Sequence, residues 1–77
     1  MDAEIAVAKA YEILNDPQKS ETKKIDLLLW VDAQIYANIG SETSRVYKEK
    51  SKRASAVIYR LIKTLDRDKG QRFLNAL

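Results

Sequence analysis

Of the groups that do chemistry in proteins, this chain has carboxylates, amines, guanidiniums, phenols and hydroxyls. It has neither histidine nor cysteine. An imidazole base and a thiolate nucleophile are therefore excluded, as are the usual ligands of zinc and copper. No spacing brings an acid, a base and a nucleophile together, and no glycine-rich loop is present to cradle phosphates. The expectation is a protein that is not an enzyme, with no catalytic residue, metal, cofactor or small-molecule substrate. One carboxylate stands apart. Asp32 falls inside the apolar face of a helix, where it must reach a basic residue of the third helix or a backbone amide, or else serve a ligand.

Charge is the second feature. The net charge is +3, but residues 1–43 carry four lysines against eight carboxylates, net −4, and residues 44–77 carry ten cations against three carboxylates, net +7. The halves can attract within one chain, attract between subunits, or leave the basic half for an anionic partner. Arg45, Lys48, Lys52, Arg53, Arg60, Lys63 and Arg67 recur along one side of the third helix, with Tyr59 beside them. At 1.5 Å rise per residue that face extends for ~33 Å. Cations on a rigid rod neutralise successive phosphates, and an aromatic ring beside them stacks on bases. These eight residues are the candidate anion or nucleic-acid face.

Two loops resemble known ligand motifs. Asp66-Arg67-Asp68-Lys69-Gly70 looks like the start of an EF-hand calcium loop. That loop needs a glycine at its sixth position and a bidentate glutamate at its twelfth; here the glycine comes one position early and Leu77 stands twelfth. A capped helix end is the expectation. Gln34 to Lys48 resembles a helix-turn-helix, with Ile35, Ile39 and Val46 as inward residues, Gly40 in the turn and Lys48 facing the groove. It departs from that motif at Tyr36, Ser41 and Glu49, and no base-reading residue can be assigned.

The stretch A-Y-E-I-L-N-D-P-Q-K, Ala10 to Lys19, resembles the close of a J-domain, the module with which one class of co-chaperones stimulates its chaperone partner. That family acts through a His-Pro-Asp loop between its second and third helices. This chain has no histidine, and only nine residues precede the matching stretch, so no functional residue carries over. What the stretch predicts is structural: Tyr11 and Leu14 in the core, and Asp16-Pro17 at a corner, with Asp16 capping the second helix.

The elements that must position these residues read as all-α, since no alternating apolar pattern suggests a strand. Helix 1 is expected over about 2–14, with Ala3, Val7, Ala10, Tyr11 and Leu14 as its apolar stripe, and ends before Pro17. Helix 2 is expected over about 20–39, stopped by Gly40. Ile25, Leu28, Leu29, Ile35, Tyr36 and Ile39 lie on one side of it, while Leu27, Trp30 and Val31 point elsewhere. Three helices do not readily cover both faces, so Leu27, Trp30 and Val31 become the candidate oligomer or partner interface. Helix 3 is expected over about 44–69, ended by Gly70, with a terminal turn over 71–77 in which Phe73, Leu74 and Leu77 cover the end of the core.

The expected architecture is a small three-helix bundle with a short C-terminal helical turn, one domain over 1–77, that oligomerises. The acidic, mixed start does not read as a signal peptide and no apolar run could cross a bilayer, so a cytoplasmic protein with no membrane partner is expected. The expected role is a non-catalytic adaptor, regulator or assembly factor that binds itself and another protein. The alternative is a DNA- or RNA-binding protein. The size suits an accessory protein of a phage or mobile element.

Overall fold

In the computed structural model, which describes residues 1–37 and 44–77, the described residues form four helices and no strand. They are α1 (Ala3–Leu14), α2 (Glu21–Ala37), α3 (Arg45–Leu65) and α4 (Arg67–Asn75). The first three pack each against the other two, and α4 packs against α3 alone among the described elements.

Asp2 starts α1, its Oδ1 accepting from the Glu4 amide at 2.8 Å. Ala3, Ala6, Ala10 and Ile13 are buried, with Val7 and Leu14 half-buried. The inward stripe is thus rotated from the expected one, and Tyr11, predicted as core, is 47% exposed. The reason is spacing between helices: α1 meets α2 and α3 through alanines, which permit close approach and leave no room for a phenol.

The corner after α1 forms where Asp16-Pro17 predicts it. Asp16, however, does not cap α2. Its Oδ1 accepts from the Gln18 amide at 2.9 Å and its other oxygen pairs with Lys19. The Lys19 ammonium and then the Gln18 amide hold this carboxyl below its usual range. The cap belongs to Ser20, whose Oγ accepts from the Lys23 amide at 3.1 Å. Asp16 is four residues too early, because Pro17 to Lys19 form a turn instead of a first helical turn.

Along α2, Ile25, Leu28, Val31, Asp32 and Ile35 are buried. Val31 is fully enclosed and belongs to the core rather than to an outward interface. The apolar arc of α2 is broad because two neighbours, α1 and α3, cover adjacent sides of it. Of the three residues expected to point outward, Trp30, at 52% exposure, does so, with half-buried Leu27 beside it. Ile39 and Gly40 lie outside the described residues.

Ser44 caps α3, its Oγ accepting from the Tyr47 amide at 3.2 Å. The helix buries Ser51, Ala54, Ser55, Ile58, Leu61 and Ile62 and stops at Leu65, four residues short of the expected end. Asp66 is extended (φ −145°, ψ 99°), and its side chain accepts from the Lys69 amide at 3.1 Å. One aspartate thus closes α3 and opens α4, which is why Asp66 to Gly70 resembles a ligand loop. Arg67 consequently lies on α4, off the α3 rod. The terminal turn is a nine-residue helix.

Gly70 is no terminator; it lies within α4 and is buried. A Cβ at this position would overlap the Lys63 backbone. The absence of a side chain lets α4 lie flat on α3. With Phe73 on Tyr59 and Leu77 near Lys52 and Ala56, α4 runs antiparallel along α3 and covers the middle of its outer face instead of the end of the core. Glycine-to-alanine changes in exposed helix interiors stabilise by about 1 kcal/mol. Gly70→Ala is expected to do the reverse, lowering the thermal midpoint and raising amide exchange over 67–75. An unchanged or raised midpoint would contradict this close packing.

Candidate functional site: a buried carboxylate and the two surfaces it orients

Asp32 is 9% exposed and both its oxygens are occupied. Ser55 Oγ donates to Oδ1 at 2.6 Å and Tyr59 Oη donates to Oδ2 at 2.6 Å. The partners are neutral hydroxyls of α3, not the base or backbone amide expected from the sequence. Ser55 has one proton and commits it to Asp32, so Tyr36 Oη, 2.6 Å away, is the donor to Ser55. Tyr36 Oη also lies 3.3 Å from the Ser51 carbonyl, and Ser51 Oγ is buried without a partner among the described residues. Burial, then the Asp32 carboxylate, push the Tyr59 phenol above its ordinary value of 10.0. It therefore holds its proton at neutral pH and acts as a donor. The protons of Ser55 and Tyr59 are used internally, an arrangement suited to fastening α2 to α3.

The ring of Tyr59 extends the network outward. It stacks on Phe73 of α4 with centroids 5.1 Å apart and planes at 24°. Sequence reasoning missed this stack and the roles of Ser51, Ser55 and Tyr36. The available signal was Ser51, Ser55 and Tyr59, spaced i, i+4, i+8 beside Ala54, Ile58 and Ile62. A polar row bordering an apolar face marks a buried polar partner opposite.

On the α1–α2 side, Trp30 and Leu27 form one wall of a groove of ≈ 300 Å³, with Lys9, Glu12 and the buried Ile13 opposite. Of the three residues expected at an interface, the structure brings together Leu27 and Trp30, and removes Val31 to the core.

The expected cationic face is only partly assembled. Lys48, Lys52, Arg53 and Arg60 are exposed on α3. Arg45 pairs with Glu49 at 3.6 Å, and Lys63, half-buried, donates to Gln71 Oε1 at 2.7 Å. Tyr59 is not available to a base: its hydroxyl is on Asp32 and its ring on Phe73. Among the described residues the ion pairs are Lys19–Asp16 and Arg45–Glu49, so none joins the acidic half to the basic half. For the helix-turn-helix resemblance, Ile35 is buried as expected, but Val46 is 63% exposed where that motif needs an inward residue. Its turn lies outside the described residues.

Tyr59→Phe leaves Asp32 Oδ2 without a donor and is expected to lower the unfolding free energy by about 1–3 kcal/mol. The same group sets a pH dependence. Above about pH 10 the unfolded chain loses the Tyr59 proton while the folded chain keeps it, so stability falls as pH rises past that value. The alkaline loss should be smaller in Tyr59→Phe than in the parent when unfolding by urea is compared between pH 8 and 11. Equal losses would show that the phenol is not held by the fold.

Comparison with protein-family models, with curated proteins and with solved structures finds no match to this chain.

Proposed function

We propose that this chain is a small non-catalytic interaction module that self-associates, and engages other proteins, through the surface around Trp30 and Leu27. The observation that carries this reading is the placement of Trp30. The indole is 52% exposed in the middle of a well-packed helix, at the edge of a groove that an apolar core residue, Ile13, also lines. Tryptophan is the residue most enriched among those that dominate binding energy at interfaces, where a large rigid apolar ring inserts in a pocket. Burying such a side chain gains about 1.5–3 kcal/mol, enough to matter once neighbouring contacts add to it. In this reading the module acts in the cytoplasm as an adaptor, regulator or assembly factor. No helix among the described residues is long and apolar enough to cross a membrane.

A second reading has its own observation. Lys48, Lys52, Arg53 and Arg60 stand exposed on α3 with no ion-pair partner among the described residues. Such cations suit the phosphates of DNA or RNA, read without base specificity.

Light scattering across a concentration series is expected to give a mass above one chain, lowered by Trp30→Ala. A strict monomer at high micromolar concentration would remove self-association. For the second reading, a low-salt shift assay with duplex and single-stranded DNA and RNA should show binding that weakens steeply with salt. Lys52→Glu combined with Arg60→Glu should abolish it, and no retention at low salt would end that reading.

A further inference from the structure

We infer that Trp30 of one copy docks in the groove between α1 and α3 of the next, so that self-association is head to tail. This rests on the proposed self-association and adds the surface that receives the tryptophan. The receiving groove has a volume of ≈ 360 Å³. Buried Ala3 and Ala54 form its floor and half-buried Val7 and Val57 its walls. It exists because alanines occupy the crossing of α1 and α3, where longer side chains would have filled the space. Lys50, Arg53 and Glu4 line it and are exposed. The groove is thus apolar below, and at its edge two cations stand against the one carboxylate of Glu4. That combination accepts an aromatic ring flanked by carboxylates, and a guanidinium over an indole face adds a cation–π contact.

The Trp30 surface supplies those features. Glu12 and Lys9 line the groove beside Trp30, and Asp26, exposed, lies one turn before it on α2, so carboxylates outnumber the unpaired cation there. The Asp16 carboxylate there is already paired with Lys19. Within one chain the two surfaces cannot meet. The Trp30 groove uses Lys9, Glu12 and Ile13, on one flank of α1, and the receiving groove uses Glu4 and Val7, on the other flank. Charge favours a second copy as the occupant. The half that contains Trp30 is net −4, the half that contains Lys50 and Arg53 is net +7, and no ion pair among the described residues joins them within the chain. A two-fold contact of Trp30 with Trp30 would bury the indoles and leave the basic half without counter-charge. A head-to-tail contact satisfies both halves, and because donor and acceptor surfaces differ it propagates to a ring or an open array.

The test exploits that asymmetry. Trp30→Ala keeps the receiving groove, and Lys50→Glu with Arg53→Glu keeps the tryptophan. All three residues are non-core, so both variants should retain the parent's far-ultraviolet circular dichroism. By light scattering each variant alone is expected to have the mass of one chain, while an equimolar mixture forms a capped pair with the mass of two. If the parent assembles and the charge-reversed variant assembles equally well, or if the mixture stays at one-chain mass, the head-to-tail contact is overturned and self-association stands by another surface. A parent that remains monomeric overturns both.

Discussion

The bond on which this fold turns is that of the Asp32 carboxylate to the hydroxyls of Ser55 and Tyr59. A carboxylate taken out of water costs several kcal/mol unless its oxygens are occupied. Here the compensation comes from two short hydrogen bonds to one neighbouring helix, with no buried cation. The consequence is geometrical. Asp32 must face α3, and at ~100° per residue Trp30, two positions earlier, is turned ~200° away from it. The same contact that fastens α2 therefore points the indole at solvent. Tyr59 carries the constraint further, since its hydroxyl holds α2 while its ring holds Phe73 of α4. One side chain thereby connects the core to the outermost helix.

Such a device suits a small and alanine-rich core. A chain of this length buries only ~60% of the surface its unfolded form exposes, and α1 contributes Ala3, Ala6 and Ala10 to the interior with Ile13 as its one large buried residue. Apolar burial by such residues does little to select one rotation of α2 over another. A paired carboxylate does select, because any other rotation leaves it buried and unsatisfied or pulls Val31 into water. The alanines have a second effect. At the edge of the α1–α3 contact their short side chains leave unfilled the channel floored by Ala3 and Ala54. Core economy and a surface groove thus have one origin.

Much of this architecture was legible in the residue pattern. Helical periodicity, Asp16-Pro17 at the first corner and the burial of Asp32 all follow from local chemistry. What was not legible depended on neighbours. Val31 reads as outward when α2 is given one partner and as core when it has two. Tyr11 reads as core from spacing alone, yet the closeness of an alanine-lined crossing excludes it. Gly70 reads as a helix stop, because a sequence cannot distinguish a glycine that ends a helix from one that lets two helices touch. For the candidate site the outcome divides similarly. Exposure of Trp30 and of four α3 cations was readable from helical phase, whereas the capture of Tyr59 and Lys63 by α4 was hidden until that helix folded back.

The most direct test of the central claim is a double-mutant cycle on Asp32 and Tyr59, using Asp32→Leu, Tyr59→Phe and the pair, read by urea unfolding. If the carboxylate–phenol bond organises α2 against α3, each single change strands a buried polar group, and the pair together costs less than the sum of the two. The predicted interaction energy is about 0.5–3 kcal/mol. Additivity of the two substitutions within about 0.5 kcal/mol would contradict it.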